Sequence, residues 1–79
     1  MMNFRWENKS NARYYHAILT RDLWGDWVVI KSWGGKTKRG GVKNLFCSSY
    51  SEGAQLLGKI NKIRQKHGYQ LQSSHLNNL

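Results

Sequence analysis

The sequence is poor in cysteine, in acidic residues and in long apolar runs. Its 79 residues include one cysteine, Cys47, which excludes an internal disulfide and a Cys/His zinc site. The four acidic residues form no spaced carboxylate pair and the three histidines have no partner pattern, so we expect no enzyme, no metal and no cofactor. No run approaches the roughly 20 apolar residues of a membrane span, and the N-terminus has no apolar signal-peptide core. We therefore expect a cytoplasmic protein with no membrane partner, and Cys47 as a small buried hydrophobe.

The chain is instead rich in positive charge and in aromatic rings. Thirteen Lys and Arg give a formal net charge of +9, more than the solubility of a small domain requires. Such an excess points to a polyanionic partner or an anionic surface. Four Trp, four Tyr and two Phe supply large buried areas, which a core this small needs.

Three segments have the composition of strands. Residues 13–21 and 27–33 predict an antiparallel hairpin around a turn at Gly25, and residues 42–47 predict a third strand. In 13–21 both alternating faces carry apolar bulk, so periodicity does not choose the core face. Residues 69–71 are short enough to form only a brief return strand.

The pattern changes to a helical period after residue 48. Ser49 and Glu52 have the spacing of a capping box, and Gly68 is placed to end the helix. The predicted apolar stripe comprises Ala54, Leu57, Ile60 (or Leu56) and Ile63. We therefore predict an α+β domain, a small antiparallel sheet of three to five strands with one helix packed on it. Its parts are an N-terminal strand or arm over residues 1–12, the domain over 13–72 and a flexible tail over 73–79.

The segment KSWGGKTKRGG, residues 31–41, is the candidate site. Its glycines allow close backbone approach to a ligand, and its cations are typical of phosphate contacts. A Trp at a strand end is more often part of a core, but an indole beside cations can stack on a base. The predicted nucleic-acid-binding residues are Trp33, Gly34, Lys31, Lys36, Lys38, Arg39 and Lys43.

The order of several short motifs resembles the WGR domain. The matching residues are Tyr14-Tyr15, 27–34, Gly40-Gly41, 49–54 and 66–69. This module, named for Trp-Gly-Arg, occurs in DNA-dependent poly(ADP-ribose) polymerases and in small bacterial proteins. The resemblance implies binding at DNA ends or breaks, with Trp33 against the terminal nucleotide. Position 35, however, is Gly rather than the signature Arg, and position 37 is Thr where a second Gly is usual, so the contacts of that Arg do not carry over.

Three functions are consistent with these patterns. The first is a stand-alone nucleic-acid-binding module for double-stranded DNA or DNA ends. The second is a protein-interaction adaptor that works with a separate DNA-processing enzyme. In that case Trp24, Trp27 and Tyr14 would form an exposed aromatic patch away from the basic loop, or an edge strand would self-associate. The third is RNA binding, which the aromatic and basic residues also allow.

Overall fold

The chain forms one antiparallel sheet with a helix across one face, which confirms the predicted α+β class. The computed structural model describes residues 2–35 and 39–76. Over these residues the elements are β1 (Met2–Asn8), β2 (Arg13–Arg21), β3 (Trp27–Gly35), β4 (Gly41–Cys47), α1 (Tyr50–Lys66) and β5 (Gln70–Leu76). The strand order is β4-β3-β2-β1-β5, so α1 connects strands at the two edges of the sheet.

Two terminal segments differ from the sequence analysis. The N-terminal segment is a strand rather than an arm, and β1 lies inside the sheet because it pairs with β2 on one side and β5 on the other. The reason is Trp6, which is 0% exposed in the core and donates its indole N–H to the Asn61 side chain at 2.9 Å. At the other terminus, β5 continues through residues 73–76, in place of the predicted flexible tail.

Packing decides which face of β2 lies in the core, a choice that the sequence periodicity does not make. Tyr15, Ala17 and Leu19 are buried against the helix, whereas Tyr14 and Ile18 lie on the opposite, uncovered face. The core comprises Trp6, Tyr15, Ala17, Leu19, Val29, Leu57 and Ile60. Since β2 is the middle strand of the sheet, its inward residues form the centre of this core.

Helix α1 begins and ends at the predicted residues. The Ser49 hydroxyl accepts the backbone N–H of Glu52 at 3.1 Å. The Glu52 carboxylate accepts a hydrogen bond from the Ser48 hydroxyl, so the structure records only the first half of a capping box. After the C-cap His67, Gly68 takes the left-handed conformation at φ +85°. That conformation is the usual end of a helix and favours glycine.

The buried stripe of α1 is shorter than predicted. Gly53, Leu57 and Ile60 are buried, but Ile63 is 47% exposed, so its assignment to the stripe was wrong. A side chain at Gly53 would overlap the terminal methyl groups of Leu19, which shows how closely the helix approaches the sheet there. One turn beyond Ile60, the charged Arg64 takes the place that an apolar residue would fill. The helix therefore seals the core over its first part and stops sealing it near its end.

Candidate functional site

A cleft of about 440 Å³ lies on the helix side of the sheet, near the C-terminal end of α1. We call it the basic cleft, and it is lined by Arg13, Tyr15, Lys31, Trp33, Gly34, Arg39, Arg64 and Tyr69. Strands β2 and β3 provide its floor, the segment before β4 contributes Arg39, and α1 with the residue that follows Gly68 provides the far wall. Four of these eight described residues are cations, so the cleft has the charge that attracts an anion.

No acidic residue offsets this charge inside the cleft. All four acids of the chain lie elsewhere. Glu7 pairs in register with Tyr14 on the uncovered face, Asp22 and Asp26 are in the loop between β2 and β3, and Glu52 is at the start of α1. Cations without a neighbouring carboxylate keep their full attraction for a ligand anion.

The aromatic floor of the cleft is a stacked pair. The rings of Tyr15 and Trp33 are 5.9 Å apart between centroids and 16° from parallel. Tyr15 also meets the buried Trp6 ring edge-on at 5.9 Å, so the pair is anchored in the core. A Cβ at Gly41, the β4 partner of Trp33, would lie 2.6 Å from the indole Cζ2. The absence of a side chain at Gly41 thus leaves the space that the Trp33 indole occupies.

Arg64 forms the helical wall of the cleft. Its guanidinium carbon lies 4.4 Å from the centroid of the Tyr15 ring and 5.2 Å from that of Tyr69. Two such rings hold a guanidinium by cation–π attraction. The Nε atom is nevertheless buried, and the described residues give it no hydrogen-bond partner, which carries a desolvation cost.

The tyrosine of the floor is a neutral hydroxyl at ordinary pH. Burial raises the pKa of Tyr15 above its usual 10.0, although the charges of Arg64 and Lys43 act to lower it. Because burial is the larger cause, the phenol keeps its proton and offers an O–H group to the cleft.

The structure brings most of the described site residues together. Trp33, Gly34, Lys31 and Arg39 all line the cleft, and Lys43 pairs in register with Lys31 on the same face. The two remaining predicted residues, Lys36 and Lys38, lie outside the described residues. Position 34 is covered on the other face by the Tyr14 ring, whose Cε1 would be 3.1 Å from a Cβ there.

Four residues of the cleft were missed by sequence reasoning. They are Arg13, Tyr15, Arg64 and Tyr69. The spacing of Leu57, Ile60 and Arg64 was a usable signal, since an Arg in the i+7 position continues the buried stripe. The position of Arg13 required the strand register, which pairs it with Gly35. No local sequence feature fixes that pairing.

The aromatic patch expected for a protein-interaction adaptor is not formed. Trp27 packs edge-on against Tyr50 of α1 on the helix side, with 5.1 Å between centroids. Tyr14 lies on the opposite face, and Trp24 lies in the loop between β2 and β3. The three rings therefore do not share one surface.

Cys47 is half-buried rather than fully buried. Burial, with a smaller contribution from the negative charge of Glu52, raises the pKa of its thiol. A thiol with a raised pKa is a poor nucleophile, since the reactive form is the thiolate.

Comparison with known proteins finds no matching family model, no similar curated protein and no similar solved structure. The resemblance to the WGR domain therefore stays a prediction. Over residues 2–35 and 39–76, no helix has the length and apolar character that crossing a membrane requires.

Proposed function

We propose that this chain is a stand-alone nucleic-acid-binding module that binds double-stranded DNA or DNA ends at the basic cleft. The observation that carries the proposal is the stacked Tyr15–Trp33 pair surrounded by four cations with no acid among the lining residues. Nucleic acids need both features, because cations bind the phosphate backbone and a flat ring accepts a base or sugar. A polyanionic ligand at the basic cleft is also consistent with the net charge of +9 on the chain.

The position of Arg13 supports the proposed contact with phosphate. Arg13 is the register partner of Gly35, and its Cγ would lie 3.2 Å from a Cβ at that position. The stem of an arginine thus lies beside the position where the family signature has its Arg. The planar fork of a guanidinium suits bidentate phosphate contacts, which Lys cannot make. The family resemblance favours DNA over RNA.

The salt dependence of binding is the decisive experiment. A short blunt duplex is titrated by fluorescence anisotropy at about 50 and about 200 mM salt, and four phosphate contacts predict an affinity loss of about 100-fold. Arg39→Ala removes one such contact and lowers the slope of log affinity against log salt by about one. Lys59→Ala removes the same charge from the exposed side of α1 and serves as the control. An affinity that hardly changes with salt contradicts the proposal.

The stacking role of Trp33 is tested by comparing blunt duplex with closed circular DNA. Trp33→Ala should weaken binding to the blunt duplex by about 10-fold or more, in line with the loss of one stacked base. Trp33→Phe retains a flat ring and should keep most of the affinity. An equal loss of affinity for blunt duplex and for closed circular DNA argues against end stacking. A higher affinity for RNA, single-stranded or duplex, than for the DNA duplex would favour RNA as the ligand.

A protein partner is the second candidate function. It is favoured by one specific observation, the full exposure of Leu23 and Trp24 at the far end of the β2–β3 hairpin. Large apolar side chains that are exposed side by side often mark an interaction surface.

A further inference from the structure

The loop between β2 and β3 is a rigid turn that presents two apolar side chains to solvent. We call residues 22–26 the tip. One Asp22 carboxylate oxygen accepts the backbone N–H groups of Trp24 and Asp26, each at 2.9 Å. Asp22 and Asp26 also share a backbone bond of 2.9 Å, and Gly25 adopts φ +83°. Leu23 and Trp24 are 95% and 83% exposed. Because the backbone of this loop is already ordered, binding through it costs less conformational entropy.

The tip and the basic cleft are complementary in charge and in ring content. The tip has an uncovered indole flanked by Asp22 and Asp26, two of the four acids of the chain. The cleft has a stacked Tyr15–Trp33 floor and a rim of cations, including the exposed Arg39. Trp is the residue most often found as an interface anchor, and opposite potentials fix the register of a contact.

We infer that the tip of one copy of this chain seats in the basic cleft of a second copy. Trp24 lies against the Trp33 side of the aromatic floor, and Asp26 faces the rim cation Arg39. Trp33 lies six residue steps along β3 from Trp27, which places tip and cleft about 20 Å apart at opposite ends of one strand. A contact between two different surfaces of this kind gives head-to-tail assembly.

The acidic residues beside Trp24 decide which kind of partner the tip can bind. Two carboxylates beside the indole oppose insertion into DNA or into an anionic membrane, because both present negative charge. A second copy presents positive charge instead. The net charge of +9 on each copy opposes association, but charges beyond about 8 Å are screened at physiological ionic strength. The local pairing of the tip acids with the rim cations therefore governs the contact.

Sedimentation equilibrium over a wide concentration range tests the inference. The weight-average mass of the wild-type chain should rise above the 9.2 kDa monomer as concentration increases. Trp24→Ala should raise the dissociation constant about 30-fold, the effect of losing an interface anchor. Phe46→Ala removes another exposed ring, on the edge strand β4, and should leave the association unchanged. A wild-type chain that stays monomeric overturns the inference, as does an association that Phe46→Ala abolishes.

Mixing two disabled variants identifies the head-to-tail geometry. The first, Trp24→Ala with Asp26→Asn, has a disabled tip and an intact cleft. The second, Lys31→Glu with Arg39→Glu, has an intact tip and a disabled cleft, and Arg39→Glu alone replaces it if the double variant does not fold. Each variant should be monomeric, and an equimolar mixture should stop at twice the monomer mass. A mixture that remains monomeric, or a variant that still associates alone, overturns the inference.

The inference uses the same cleft as the proposed function but does not depend on its ligand. A short DNA duplex added to the associated chain should compete with the tip and lower the mass of the protein assembly. Association that requires Trp24 in a chain that binds no nucleic acid would remove the proposed function alone. Nucleic-acid binding by a chain that is monomeric at every concentration would remove the self-association alone.

Discussion

The two ends of the helix–sheet contact differ in how they are closed. At the start of α1, Gly53 lies against Leu19, and Trp27 packs on Tyr50, so the helix and the sheet touch directly. Near the end of α1 the buried stripe stops at Ile60, and Arg64 bridges to the sheet through the Tyr15 ring. At the closed end the two layers are in direct contact, and the open end leaves a cleft between them.

This difference follows from the side chains that the helix presents. A helix face made of small and aliphatic residues can approach a sheet until the layers interlock. An arginine in the same stripe holds the layers apart, because its charged group needs either water or an aromatic partner. The change from an aliphatic residue to an arginine along one helix face therefore marks where the packed contact ends and the cleft begins.

The largest effect should come from truncating the closed end. Leu57→Ala removes a side chain that is 1% exposed in the core, and we expect a loss of about 2–5 kcal/mol in the free energy of unfolding. Ile63→Ala, near the open end, should cost less than about 1 kcal/mol because Ile63 is 47% exposed. Urea denaturation of both variants measures the two values. Similar losses in the free energy of unfolding for the two variants would contradict a helix that seals the core at only one end.

A second prediction concerns the two helix glycines. Gly53→Ala should cost about 1–3 kcal/mol because the new methyl group overlaps Leu19, which is fully buried and cannot move aside. Gly58→Ala meets nothing within 4 Å and should stabilise the helix by about 0.5–1 kcal/mol. Thermal unfolding of both variants should therefore give shifts of opposite sign. Stabilisation by both changes would mean that the helix and sheet are farther apart at the closed end.

The third prediction separates stability from binding at the open end. Arg64→Met keeps the unbranched apolar stem and removes the buried Nε, for which no partner is found among residues 2–35 and 39–76. We expect the free energy of unfolding to stay within about 1 kcal/mol of wild type, because the lost cation–π contacts and the removed desolvation cost offset each other. Affinity for a DNA duplex should fall about 5-fold or more with the loss of one phosphate contact. Denaturation and anisotropy titrations measure the two quantities.

A matched change at the other wall checks the third prediction. Arg39 is exposed, so Arg39→Met removes a cleft cation without changing a buried group. It should lower the affinity without altering stability. A large destabilisation by Arg64→Met would instead assign Arg64 to the core, and unchanged DNA affinity would remove it from the site.

Sequence patterns predicted the parts of this molecule that depend on local chemistry. The strand at 13–21, the cap at Ser49 and the helix end at Gly68 follow from propensity, capping and backbone conformation, each confined to a few residues. The basic loop was likewise visible, because charge and glycine content need no tertiary contact to be recognised.

The remaining features depend on how distant segments meet. β1 became an inner strand because Trp6 completes a core that only the assembled sheet defines. The exposure of Ile63 depends on where the helix leaves the sheet, which its own periodicity does not fix. Arg13 entered the cleft through a register pairing with Gly35. Register is set by turns and by the whole buried face, so a short window of sequence does not determine it.

The smallest expected effect concerns pH and separates the cleft from the uncovered face. His16 lies on that face and donates from Nε2 to the Asn3 side-chain oxygen. Burial, and then the charge of Arg5, hold its pKa below the usual 6.5, so the folded state binds a proton more weakly than the unfolded state. Stability is thus complete above pH 6.5 and falls as the pH drops below it.

We expect the melting temperature of the wild type to fall between about pH 8 and about pH 5, and the His16 part of that fall to be about 2 °C or less. His16→Gln retains a donor for Asn3 without the titration, so its melting temperature should fall less over the same range. None of the described residues that line the basic cleft is a histidine, so DNA affinity should change little over the range in which His16 titrates. Identical pH profiles for the two chains would exclude His16 as the titrating group. A DNA affinity that follows the same titration would instead couple the uncovered face to the cleft.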